Sequence, residues 1–99
     1  MRLVDLHPSW FGGAGRERVG IMFRSPAGCI DGCSDEWHHC QVAVQFANPV
    51  DGLGPLEPDR PAWVRDGDTF ETLTLSPSIR CQGAITWHGF VTDGKVRTV

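Results

Sequence analysis

Ser78 and His88 are the residues whose types and spacing best fit catalysis in this chain of 99 residues. If residues 70–78 and 85–92 form a hairpin centred on Gly83, Ser78 and His88 face each other across it. Directly opposed side chains have Cβ atoms about 5 Å apart, close enough for a hydroxyl to reach an imidazole nitrogen. Serine needs such a base because its hydroxyl is a poor nucleophile until the proton is removed. The spacing therefore predicts a nucleophile and its general base.

Two questions about this pair remain: whether its role is structural, and whether a third residue completes it. Ser78 could simply cap a turn while His88 packs beside Trp87. A dyad is possible, and several carboxylates could orient the histidine in a triad. The acidic candidates are Asp51, Asp66, Asp68, Glu71 and Asp93.

Pro77 directly precedes the serine. Because proline has a fixed φ and no backbone donor, we expect the strand to end there and to leave Ser78 at the rim of the sheet. Backbone N–H groups near residues 79–83 would then be the donors that stabilise an oxyanion.

Three cysteines and two histidines lie close together in the segment CIDGCSDEWHHC, residues 29–40. Clustered thiols without a secretory signal favour metal over disulfides, so we expect one structural zinc. Its ligands would include at least two of the cysteines, and a histidine can complete the set. The candidates are Cys29, Cys33, Cys40 and Cys81, with His38 or His39. The alternative is that Cys40 is a buried strand residue, Cys81 a loop thiol and both histidines solvated.

The elements that must position these side chains are strands. Twelve glycines and seven prolines interrupt the chain, and the apolar runs between them are too short for helices. We therefore predict an all-β fold, a small single domain over residues 1–99, zinc-stabilised and with a C-terminal antiparallel meander. The predicted strands are 19–23, 40–46, 70–76, 85–92 and 95–99.

Two connections between these strands are also predictable. Asp93-Gly94 is a favoured pair for a two-residue type I′ turn, which would set Val91 opposite Val96. Residues 48–60, NPVDGLGPLEPDR, have no hydrophobic period and three prolines, so they predict a long surface loop that borders a substrate cleft. Trp63 and Trp87 are candidates for walls of the same site.

Composition excludes several classes of function. The net charge is −3 and the nine basic residues are scattered, which argues against a nucleic-acid partner. No apolar run is long enough to span a membrane, and the first ten residues lack the pattern of a signal peptide. These features predict a cytoplasmic protein.

Three stretches resemble a known family: FANPVDG at 46–52, WVRDGDTFETLTLSPSI at 63–79 and WHGFVTDGKV at 87–96. They resemble a family of small phage and bacterial proteins that look related to BubE, the predicted serine protease encoded in bacterial ubiquitin-like conjugation operons. The resemblance covers about Gly20 to Arg97, and TLTLSPSI with WHGF is its most specific part.

The resemblance maps the serine of PSI and the histidine of WHG onto Ser78 and His88. It implies a serine peptidase that cleaves an ester or peptide bond, with the C-terminus of a ubiquitin-like protein as a substrate. Relatives tend to have a CPxC-like knuckle where this chain has CIDGC. The alternative function is a non-catalytic, zinc-binding phage accessory or structural protein that holds a protein partner at the same rim.

Overall fold

Strands make up most of the regular structure in the residues that the computed structural model describes, 1–26, 41–81 and 87–99. One short 3-10 helix, Leu3–Leu6, precedes them. The strands are β1 (Ser9–Gly13), β2 (Arg16–Arg24), β3 (Gln41–Gln45), β4 (Val64–Asp66), β5 (Thr74–Cys81), β6 (Trp87–Thr92) and β7 (Lys95–Thr98). The all-β prediction is confirmed. In these described segments, no helix has the length and apolar character needed to cross a membrane.

The strands form two antiparallel sheets in chain order, β1-β2-β3 and β4-β5-β6-β7. A parallel bridge between Phe46 and Trp63 joins the end of β3 to the start of β4. Its backbone hydrogen bonds run from Trp63 N–H to the Gln45 carbonyl, 3.0 Å, and from Ala47 N–H to the Trp63 carbonyl, 2.7 Å. The bridge places the β4–β5 region directly beside β3.

One apolar core lies between the inner faces of the two sheets. In β3, Val42 and Val44 are buried and Ala43 is exposed, as strand alternation predicts. The largest fully buried side chains include Phe23, Phe46, Ile21, Leu73 and Ile79. Because successive side chains of a strand point to opposite faces, the other positions of β5 and β6 face outward, where a site can form.

The hairpin of β6 and β7 has the predicted register. Val91 pairs with Val96, and the turn residues Asp93 and Gly94 both have positive φ, 50° and 73°. Positive φ at both central positions is the requirement of a type I′ turn, which explains the Asp-Gly pair. The predicted C-terminal antiparallel meander is also confirmed, with β6 between β5 and β7.

The start of β5 differs from the prediction. The strand begins at Thr74 rather than Phe70, because residues 69–72 form a turn closed by Thr72 N–H and the Thr69 carbonyl. Phe70 instead stacks on Trp10, with ring centroids 4.4 Å apart. Aromatic packing and turn formation therefore override the strand propensity of this segment.

The expectation that the strand ends at Pro77 is wrong. β5 continues to Cys81, and its pairing with β6 is irregular between Leu75 and Ile79. The Ser76–Pro77 peptide bond is cis. The irregular pairing with β6 lets β5 contain a proline, which has no backbone donor. The predicted start of β6 at residue 85 lies outside the described residues.

The loop of residues 48–60 contains no strand or helix, as predicted. Its first part is held by Arg16, whose guanidinium donates to both carboxylate oxygens of Asp51 at 2.8 and 2.9 Å. The same guanidinium donates to the Gly54 carbonyl at 2.7 Å. The loop is thus tied to the start of β2 by a bidentate ion pair.

We expect acid to release this anchor. The Arg16 guanidinium, and then the Leu53 N–H, hold the pKa of the Asp51 carboxyl at about 2, below its usual 3.8. Because the folded value is the lower one, the contact stabilises the fold above about pH 4 and is lost as the pH falls toward 2. An NMR titration of Asp51 with amide exchange of residues 50–54 measures this, and Asp51→Asn is the control. Titration of Asp51 at its usual value would contradict the contact.

Candidate active site

Ser78 and His88 meet on the outer face of the four-stranded sheet. The Ser78 Oγ lies 3.0 Å from the His88 Nε2, a hydrogen-bond distance. Both residues are half-buried, and their strand neighbours Ile79, Trp87 and Gly89 are buried on the inner face. This geometry agrees with the prediction that the Ser78 hydroxyl reaches an imidazole nitrogen of His88.

The register that produces the contact differs from the predicted one. His88 pairs with Arg80, and Ile79 pairs with Gly89, so Ser78 is a diagonal neighbour of His88. The prediction of directly opposed positions is therefore wrong. Ser78 and Arg80 lie two residues apart on the same face, and a diagonal neighbour is still within reach of a long side chain. Arg80, which sequence reasoning did not single out, directly faces His88.

The backbone of Ser78 is held by a side chain from outside β5. The Trp63 indole Nε1 donates a hydrogen bond to the Ser78 carbonyl at 3.2 Å. β4 begins at Val64, which pairs with Ser76, so no strand residue of β4 lies opposite Ser78. The indole supplies the donor there, and Trp63 borders the site as expected.

Trp87 and Gly89 support His88 from beneath. Trp87 is 3% exposed, and its indole donates to Thr98 Oγ1 at 2.9 Å, so it belongs to the core rather than to a site wall. A Cβ at Gly89 would collide with the Trp87 ring and with the Arg97 carbonyl. Glycine here allows the indole of Trp87 to pack against position 89 on the inner face of the sheet. The Val99 N–H also donates to the His88 carbonyl at 2.9 Å.

No carboxylate within the described ranges hydrogen-bonds to His88. Asp51 is engaged by Arg16, and Asp93 lies in the turn between β6 and β7, where its N–H donates to Thr74 Oγ1 at 2.8 Å. Among the described aromatic pairs, the His88 imidazole is near the Phe90 ring, and their centroids are 6.4 Å apart. Within the described ranges, Ser78 and His88 therefore form a dyad with no carboxylate partner.

Most of the predicted zinc ligands lie outside the described residues, namely Cys29, Cys33, His38, His39 and Cys40. Cys81 is described: it is half-buried at the end of β5, pairs with Trp87, and burial raises its thiol pKa. Within 1–26, 41–81 and 87–99, no three metal-ligating side chains cluster. The predicted oxyanion donors at residues 82 and 83 are also outside these ranges.

The comparison with known families agrees with the resemblance found in the sequence. Residues 11–99 match the family described as "Bacterial ubiquitination-like system serine protease (BubE)". No curated protein and no solved structure shows a significant match to the chain. Because the family match spans nearly the whole chain, including Ser78 and His88, this protein belongs to the BubE family of serine proteases.

Proposed function

We propose that Ser78 and His88 are the catalytic residues of a serine peptidase. The observation that carries the proposal is the 3.0 Å contact between Ser78 Oγ and His88 Nε2. A serine hydroxyl becomes an effective nucleophile when a neighbouring base takes its proton, and a neutral imidazole is the common base. The family's description as a serine protease supports the same assignment.

The reaction would proceed by acyl transfer. Ser78 Oγ attacks the carbonyl carbon of the scissile bond while its proton passes to His88 Nε2. The imidazolium then protonates the leaving amine or alcohol, and the acyl group stays on Ser78 as an ester. Water, deprotonated by His88, attacks this ester and releases the acid, which restores the hydroxyl. The 3.2 Å bond from Trp63 holds the Ser78 backbone throughout.

The substrate we propose is a ubiquitin-like protein cleaved near its C-terminus. The family's description, which names a ubiquitination-like system, supports this choice. Among the described residues the site lies on an outer sheet face, and the half-exposed Ser78 and His88 are accessible to an extended chain. A flexible C-terminal tail is a substrate that such an open face can accommodate.

Incubation with a ubiquitin-like protein that carries a short C-terminal extension tests this function. We expect intact-mass spectrometry to show loss of the extension with the wild-type protein and not with Ser78→Ala. Ser76→Ala is the matched control, since Ser76 is exposed on the same strand and should leave cleavage unchanged. An extension that stays intact with the wild-type protein, while the folded protein binds the substrate, would favour the non-catalytic binding module.

A further inference from the structure

A cavity of about 420 Å³ lies beside β3, and Trp63 is among its lining residues. Its lining is largely apolar, with Phe11, Ala43, Leu56, Pro61 and Trp63. β1, β3 and the loop of residues 48–60 thus contribute to one concave surface. Neither the dyad nor the core accounts for it, because Phe11 and Ala43 lie on the face of the sheet away from the core.

The cavity is built before any ligand arrives, because Gln45 fixes the loop over it. The Gln45 amide nitrogen contacts the carbonyls of Glu57, Arg60 and Pro61 at 2.8, 3.2 and 3.0 Å. Its carbonyl oxygen accepts from the Glu57 N–H at 2.9 Å. Gln45 is only 9% exposed. A buried amide with both ends satisfied holds an irregular loop in one position, which favours a preformed site.

Trp63 connects the cavity with the candidate active site. Trp63 is one of the residues that line the cavity, and its indole donates to the Ser78 carbonyl. The bridge to Phe46 and the pairing of β4 with β5 place Trp63 between β3 and β5, so the β3 side of the cavity and β5 are about two strand spacings, roughly 10 Å, apart. An extended peptide advances about 3.3 Å per residue, so about three residues span this distance.

We propose that this cavity is a specificity pocket for an apolar side chain, one of the three substrate residues nearest the scissile bond. The inference rests on the function proposed for Ser78 and His88. Five apolar residues line the pocket, whereas its charged side chains, Glu57 and Arg60, pair with each other at 3.6 Å and are 58% and 71% exposed. A leucine-sized or phenylalanine-sized side chain matches this lining, and a charged one would lose its hydration there.

Tripeptidyl diphenyl phosphonates measure this preference directly. Ser78 Oγ attacks phosphorus, phenol leaves with the proton taken from the serine, and the rate of adduct formation reports occupancy of the pocket. Each of the three positions carries leucine, alanine or aspartate in turn, with alanine elsewhere. We expect leucine at one position to react at least about 10-fold faster than alanine, since even one methylene gives about 10- to 200-fold in an apolar pocket, and aspartate to react slowest.

Variants of the lining provide the matched controls. Leu56→Ala should reduce the leucine preference, and Ala43→Leu, which fills the pocket, should abolish it. Leu53→Ala is the control, because Leu53 is in the same loop, is 71% exposed and does not line the cavity. An alkyl fluorophosphonate without a peptide should label wild type and Leu53→Ala at equal rates.

The two probes separate the two proposals. If the alkyl fluorophosphonate labels Ser78 but the leucine, alanine and aspartate series react equally, the specificity pocket is wrong and the peptidase remains. If neither probe labels Ser78 in the wild-type protein, the catalytic assignment is wrong and the pocket proposal fails with it.

Discussion

Replacement of Ser78 by alanine should abolish hydrolysis, and replacement of His88 by alanine should be about as severe. Both residues act in one proton transfer, so removing either should lower kcat by about 10³- to 10⁶-fold. The double variant should be no slower than the worse single variant, because the second change removes a group that no longer acts. The measurement is kcat for all three variants on one substrate.

Stability controls distinguish loss of chemistry from loss of fold. Ser78 is half-buried on the sheet surface, and removing its hydroxyl leaves no large cavity, so unfolding free energy should change by about 1 kcal/mol or less. Ser76→Ala should match it in stability and keep full activity. Losses of the two single variants that multiply in the double variant would show that Ser78 and His88 act independently.

Metal removal should have the largest effect on stability. We propose one zinc per chain, held by at least two of Cys29, Cys33, Cys40 and Cys81, on the basis of their clustering in the sequence. A structural zinc contributes about 10 kcal/mol or more of apparent binding free energy in small domains. This equals or exceeds the total stability of a typical domain, about 5–15 kcal/mol. Chelation should therefore unfold the protein or lower its Tm sharply.

Native mass spectrometry with and without chelator tests the zinc proposal. We expect a mass one zinc above the chain, and a reduced zinc content in Cys29→Ser and Cys33→Ser. Ser25→Ala, just before the cysteine segment, is the control and should retain the metal. A native mass equal to that of the unmodified chain with four free thiols would contradict the proposal.

Local sequence signals predicted the C-terminal meander and the Ser78–His88 contact. Asp93-Gly94 determines its turn almost by itself, because few residue pairs adopt positive φ twice in succession, and the Val91–Val96 register follows. The contact between Ser78 and His88 was predictable from equal spacing around a hairpin. The true register is shifted, and the contact persists because the long imidazole side chain reaches a diagonal neighbour.

Contacts between distant segments were beyond local reasoning. The path of β5 through Pro77 depends on an irregular pairing with β6, which the sequence of β5 does not encode. The bond from Trp63 to Ser78 joins residues 15 positions apart. Gln45 was predicted only as part of an alternating strand, yet it holds a loop 12 to 16 residues away. Such tertiary hydrogen bonds leave no periodic pattern in the sequence.

Mass mapping of a serine-reactive fluorophosphonate tests the central claim most directly. The probe should form one adduct per chain, located on Ser78, and His88→Ala should suppress it by removing the base. Ser76→Ala should be labelled like the wild-type protein. A folded wild-type protein that takes up no label, or takes it up on a residue other than Ser78, would contradict the assignment of Ser78 as nucleophile.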